Sequence, residues 1–200
     1  MKNHIFFVIG IFLAGVFFAC QPKPGNKINA EMYSEFQQAG NKISNTTQKV
    51  LLTNVGKAMK DGGSKNAVSF CNLKASTIVD SLNHVYNCEI YRVSAKNRNP
   101  QNALQGKTDE EIWDFFSNNI SKAFPRDTII AFKGEMVYYK PIKMGMETCL
   151  KCHGIPGEDI DAETYAELQK LYPNDLATGY RLNDFRGLWK IRFQKTKASD

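Results

Sequence analysis

The chain has 200 residues, 42% of them hydrophobic, and a formal net charge of +6. The apolar content is sufficient for a hydrophobic core, and the length fits one domain once an N-terminal leader is set aside. The basic residues are scattered, with no long basic run and no nucleic-acid-binding motif. We therefore interpret the charge as a solvated surface and expect no nucleic-acid partner.

Residues 1–19 have the pattern of an export signal. Lys2 supplies a positive start, and the apolar run after it is too short to span a bilayer comfortably. The run ends in Ala19-Cys20, which resembles the lipobox of bacterial lipoproteins, although Phe17 stands where leucine is usual. The resemblance implies that Cys20 is lipidated and becomes the first mature residue. An ordinary signal peptide with an incidental Cys20 is the alternative.

A tether is predicted to follow this signal. Residues 20–30 are rich in Pro, Gly, Asn and Lys and should lift the folded domain, residues 31–200, off the membrane. We therefore expect a lipoprotein of the cell envelope that faces the periplasm, at either the inner or the outer membrane.

Two helices are predicted next. An apolar stripe over residues 31–59 predicts the first, and Asp61-Gly62-Gly63 ends it. The second covers residues 64–86, where apolar side chains recur at spacings of three and four: Val68, Cys71, Ala75, Ile78, Leu82 and Val85. Cys71 thus lies on the apolar face, and His84 projects about 150° away from it. This spacing leaves two roles open for Cys71, a metal ligand or a small core residue.

The rest of the chain predicts a small antiparallel sheet with helices against it. Strands are predicted at residues 88–94, at 128–132 and 136–142 as a hairpin, and at 188–193; helices are predicted at 108–124, with Thr108 as N-cap, and at 161–171. Residues 173–184 are predicted to be a loop, and Cys88 a core or strand residue. Together with the N-terminal helices, these elements indicate an α+β fold.

The segment after the hairpin carries the chemistry. Residues 149–153 read C-x-x-C-H, the attachment motif of a c-type haem. Cys149 and Cys152 are spaced to form thioethers with the two vinyl groups on one porphyrin edge, and His153 can supply an axial nitrogen to the iron. Because haem c is attached outside the cytoplasmic membrane, the export signal and the motif support each other.

Three other interpretations of this motif are weaker. Half of a zinc site needs a second Cys/His pair, and Cys71, His84 and Cys88 do not make a compact one. A thioredoxin-like dithiol should follow a strand and open a helix, but 144–146 and 154–157 flank the motif with Met/Gly and Gly/Pro sequences. The third alternative is a structural disulfide without further function.

Three segments together resemble a known family, the single-haem c-type domains with a PAS-like fold. They are residues 67–75 around Cys71, Tyr91-Arg92-Val93-Ser94 with Arg98-Asn99-Pro100-Gln101-Asn102, and the C-x-x-C-H motif. The resemblance covers roughly residues 35 to 193, nearly the whole mature chain. It implies a PAS-like antiparallel sheet that holds one covalent haem c. Members of this family occur alone in the periplasm and as the sensor part of signalling proteins.

The resemblance also implies an unusual axial pair, with His153 opposite a cysteine that maps onto Cys71. Rival ligands are methionine side chains or an open site. The methionines in question are Met136, Met144 and Met146.

Two arginines in the same resemblance are candidates for contacts with the cofactor. We expect Arg92 and Arg98 either to pair with haem propionates through bidentate hydrogen bonds or to brace the loop.

A domain of this kind is expected to sense redox state or a small gas, through a change of iron oxidation state or displacement of Cys71. No output domain is recognisable in the chain, so a sensor would need an unidentified signalling or redox partner. The alternative is a small periplasmic electron-transfer cytochrome c. Peroxidase-like enzyme activity is not favoured, because we expect both axial positions to have ligands and His84 to face away.

Overall fold

The computed structural model describes residues 29–119, 127–132 and 134–194. The predictions for Cys20, for the signal over residues 1–19 and for all but the end of the tether lie outside these residues. No helix in the described part of the chain is long and apolar enough to cross a bilayer.

The chain forms four α-helices and four strands in the described ranges. The helices are α1 (Ala30–Tyr86), α2 (Lys107–Asn118), α3 (Glu147–His153) and α4 (Ala162–Leu171), with a short 3-10 helix at Pro100–Asn102; the strands are β1 (Cys88–Val93), β2 (Thr128–Phe132), β3 (Glu135–Lys143) and β4 (Phe185–Phe193). This is the α+β fold that the sequence predicted.

Helix α1 consists of two segments joined at a kink. Gly62 and Gly63 have non-helical backbone angles, and Gly63 lies at φ 71° and ψ −169°, a region open to glycine and strained for other residues. The two predicted helices and their boundary are therefore confirmed. Asn87 closes the second segment in a left-handed conformation, and its N–H donates to the Asn83 carbonyl.

The sheet is antiparallel throughout, with strand order β1-β4-β3-β2. Side chains alternate between its two faces, so that each face can bury an apolar layer. One face packs against α1 through Ile90, Tyr138, Trp189 and Ile191. The other packs against α2 around Phe116.

Helix α4 packs on the second segment of α1. Val68 on α1 joins Ile160 and Leu168 in a small core, and the Ser69 hydroxyl donates to Glu167 at 3.0 Å. This packing fixes the part of α1 that carries Cys71.

Several predicted boundaries are wrong. Helix α2 begins at Lys107, with Gly106 rather than Thr108 in the N-cap position, and it ends at Asn118, whereas residues 120–126 lie outside the described ranges. Strand β4 begins three residues earlier than predicted, at Phe185. The predicted apolar stripe of the second segment is also wrong at its end. Val85, which was placed on that stripe, is 73% exposed, and Tyr86 packs against the core instead.

Candidate functional site

A cavity of about 600 Å³ lies between α1, the ends of β1 and β4, and the segment that leads into α3. Its volume falls within the roughly 300–1,000 Å³ of small-molecule and cofactor sites. Its walls include six residues that the sequence had singled out: Cys71, Arg92, Arg98, Cys149, Cys152 and His153. The fold therefore brings together every proposed site residue in the described part of the chain.

The C-x-x-C-H residues lie on α3, a seven-residue helix that the sequence did not predict. Side chains three and four apart in a helix share one face, so Cys149, Cys152 and His153 all line the cavity. All four described cysteines are free thiols, and burial raises the pKa of Cys152 to about 11. No group of three or more metal-ligating side chains occurs within residues 29–119, 127–132 and 134–194, so the zinc interpretation lacks a ligand set there.

His153 is held in the form that a metal ligand requires. Its Nδ1 lies 2.8 Å from the Ala177 carbonyl oxygen. Because a carbonyl can only accept, the proton sits on Nδ1, and the lone pair of Nε2 is left free. Burial holds the pKa of His153 well below its usual value, and the charges of Arg98 and Arg186 lower it further. The imidazole is therefore neutral near neutral pH.

Arg98 braces the loop that supports His153. Its guanidinium donates to the carbonyl oxygens of Cys152 at 2.6 Å and Ala177 at 3.1 Å, and it forms a salt bridge with Asp175 at 2.9 Å. These contacts correspond to the bracing role, one of the two alternatives from the sequence. Contact between Arg98 and a haem propionate stays a prediction.

Arg92 lines the same cavity, but its contacts differ from those of Arg98. It makes no hydrogen bond or salt bridge with any residue in the described part of the chain, and its β1 position places it on the α1 side of the sheet. Burial lowers its pKa, while the nearby Cys71 and Tyr172 raise it. A partly buried cation that has no hydrogen-bond or salt-bridge partner among the described residues is suited to an anionic group in the cavity.

Cys71 lies on the cavity wall, outside the packed apolar clusters of the described residues. Burial raises its pKa, and the charges of Arg92 and Arg98 oppose that shift. Cys88, by contrast, is buried in the core between α1 and the sheet, as predicted. His84 is exposed, also as predicted.

The rival sulfur ligands are divided by the fold. Met144 and Met146 line the cavity, whereas Met136 packs against the core between α1 and the sheet. Met59, on the first segment of α1, also lines the cavity and was not considered from the sequence.

Sequence reasoning missed Arg186. Its guanidinium donates to the Ser94 hydroxyl and to the Lys96 carbonyl, both at 3.0 Å, and burial lowers its pKa to about 10. It reaches the cavity because β4 runs through the middle of the sheet beside β1. No local pattern in residues 184–187 indicates this role.

The family model described as Tll0287-like matches residues 26–194, most of the chain. The chain belongs to the Tll0287-like family. It is similar in fold to a solved structure titled the crystal structure of the cyanobacterial heme-protein Tll0287. That likeness has a TM-score of 0.59 and 22% sequence identity, and covers 85% of this chain and 99% of the other.

These findings confirm the family that the sequence resembled and the fold that it implied. The match to the solved Tll0287 structure is, at this identity, a match of fold. A search of curated proteins finds no significant match to this chain.

Proposed function

We propose that this member of the Tll0287-like family holds one covalent haem c and senses redox state or a small gas. The observation that supports the proposal is the single cavity lined by the two thiols and the imidazole of residues 149–153, by the thiol of Cys71 and by the cation Arg92. A relative described as a heme-protein agrees with this assignment.

The residues present fit a haem. Cys149 and Cys152 would form the thioethers, and His153 would present Nε2 to the iron because Ala177 holds its Nδ1–H. Cys71 would supply the second protein ligand to the iron, and Arg92 would suit a propionate. When bound, the haem supplies a one-electron iron centre that can also take up a small gas.

The kink in α1 supports sensing rather than electron transfer. Gly63 lies about two helical turns before Cys71, at a kink where the backbone is not helical. In this proposal, a loss of the Cys71 bond would remove one contact from the second segment of α1, which α4 and the sheet still hold, so that the resulting movement would be confined to the stretch between the kink and Cys71. The movement would be read by a signalling partner that is still to be identified.

An electron-transfer cytochrome c is the second candidate. It is favoured by the apolar rim of the cavity, where Leu52 and Met146 are 41% and 46% exposed. An exposed rim would leave a haem edge accessible to a redox partner.

The location of the protein is part of the proposal. We place it in the cell envelope, anchored to the membrane through a lipid on Cys20 and facing the periplasm. The support is the apolar run that ends in Ala19-Cys20. Mass spectrometry of the mature N-terminal peptide tests this: an unmodified Cys20 would refute the anchor.

The first experiment is the ultraviolet–visible spectrum, ferric and ferrous, of protein matured in a host that attaches haem c. Wild type should show a low-spin, thiolate-type ferric spectrum that Cys71→Ala abolishes. Cys88→Ala is the matched control, because Cys88 is a buried free thiol in the core. It should keep the wild-type spectrum.

Other outcomes separate the candidate functions. Absence of attached haem in wild type would refute the haem assignment, and an unchanged Cys71→Ala spectrum would refute Cys71 as ligand. A sensor should lose the Cys71 bond on reduction or on exposure to CO or NO. A carrier should keep both ligands in each oxidation state.

A further inference from the structure

One backbone carbonyl beside the proposed haem ligand accepts two different donors. The Ala177 oxygen lies 2.8 Å from Nδ1 of His153 and 3.1 Å from Nη2 of Arg98. Ala177 is fully buried, and the side chains of Arg98 and Asp175 are only 12% and 9% exposed. The shared acceptor is therefore shielded from water.

Asp175 holds this arrangement from both sides. Its Oδ1 accepts the Ala177 N–H at 2.7 Å, and its Oδ2 accepts Nε of Arg98 at 3.0 Å. The same carboxylate thus fixes the Ala177 peptide and partly neutralises the cation that competes for its carbonyl.

The hydrogen bond at Nδ1 sets the electron donation of a ligating histidine. A stronger acceptor gives the ring more imidazolate character, which stabilises ferric iron, and a weaker acceptor does the reverse. A cationic donor to the same oxygen withdraws charge from it and weakens it as an acceptor for the imidazole.

The geometry points to Arg98 as a positioning residue that raises the reduction potential of iron bound at His153, by competing for the Ala177 carbonyl, with Asp175 opposing it. The inference rests on the proposed haem function. It goes beyond that function by naming the residues that set the potential.

The test is the midpoint potential of the haem-loaded protein in two opposite variants. Arg98→Gln frees the carbonyl for His153 and should lower the potential, by about tenfold in the ferrous-to-ferric ratio, which is 59 mV for one electron. Asp175→Asn leaves the charge of Arg98 uncompensated and should raise the potential. A merely structural loosening of the loop would move both variants in the same direction.

Lys96→Gln is the matched control. The Lys96 ammonium bonds the Thr178 carbonyl on the same loop at 3.1 Å but does not bond Ala177. Its loss removes a positive charge and a loop contact, so a shift as large as that of Arg98→Gln would refute the shared-carbonyl explanation.

A spectroscopic readout isolates the hydrogen bond itself. In the diamagnetic ferrous carbon monoxide complex, the His153 Nδ1–H proton resonance should move downfield in Arg98→Gln and stay in place in Lys96→Gln. An unmoved resonance in Arg98→Gln would overturn the inference.

Two further outcomes have defined meanings. If Arg98→Gln does not mature, Arg98→Leu replaces it, because leucine has no donor for the Ala177 carbonyl. Its Nδ1–H resonance should shift downfield, and no shift refutes the inference. If wild type carries haem and both Arg98→Gln and Asp175→Asn keep the wild-type potential, this inference fails and the proposed function stands. If wild type carries no haem, the proposed function fails and the inference with it.

Discussion

Asp109 on α2 is buried against the face of the sheet opposite the cavity, where its carboxylate has three partners. It accepts hydrogen bonds from the Lys190 ammonium at 2.8 Å, from the Tyr139 hydroxyl at 2.7 Å and from the Gln105 backbone N–H at 2.9 Å. Asp109 is 1% exposed and Lys190 is 7% exposed. Replacing Asp109 by alanine leaves a buried ammonium without its counter-charge.

The loss of unfolding free energy expected for Asp109→Ala is large relative to the stability of a domain. Removing one partner of a buried ion pair costs about 3–5 kcal/mol, whereas a whole domain is stable by about 5–15 kcal/mol. With a urea dependence of about 2 kcal/mol/M, a loss of about 4 kcal/mol lowers the unfolding midpoint by about 2 M. The combined Asp109→Leu and Lys190→Met variant should lose less, because no unpaired charge remains.

Equilibrium unfolding in urea, followed by far-ultraviolet circular dichroism, measures this difference. Glu111→Ala is the control on the same helix, because Glu111 pairs with Lys107 at 3.5 Å on an exposed surface. It should cost no more than about 0.5 kcal/mol. A midpoint for Asp109→Ala that matches the midpoint of this control would refute the reasoning.

Two further changes test the local structure. Asp161→Ala should cost about 1 kcal/mol at neutral pH, because Asp161 caps α4 through the Thr164 N–H at 2.8 Å. That bond lowers the pKa of Asp161 below its usual value of 3.8, so the stabilisation is present above pH 3.8 and is lost as the pH falls through the folded pKa. A difference in melting temperature between wild type and Asp161→Ala that is as large in acid as at neutral pH would contradict this. Gly40→Ala should lower the melting temperature, because the added Cβ clashes with the Tyr138 ring. The clash should reduce the free energy of unfolding by about 1–3 kcal/mol. An unchanged melting temperature would contradict it.

Features that depend on near neighbours in sequence were predictable. The break at residues 61–63, the hairpin near residues 128–142 and the loop at 173–184 follow from glycine, proline and apolar spacing. The side of α1 that carries Cys71 also followed from helical periodicity. The sequence reasoning failed where a pattern was short, as in the seven-residue α3.

The sequence alone determined the spacing of the two thiols and the imidazole in residues 149–153 and the placement of Cys71 on an apolar face, because residues at most four positions apart define both. Only the tertiary structure decided which groups surround them. Ala177 is 24 residues from His153, and Arg98 is 54 residues from Cys152. Ser94 is 92 residues from Arg186. Such contacts arise from the strand order and the loop packing, which no local spacing encodes.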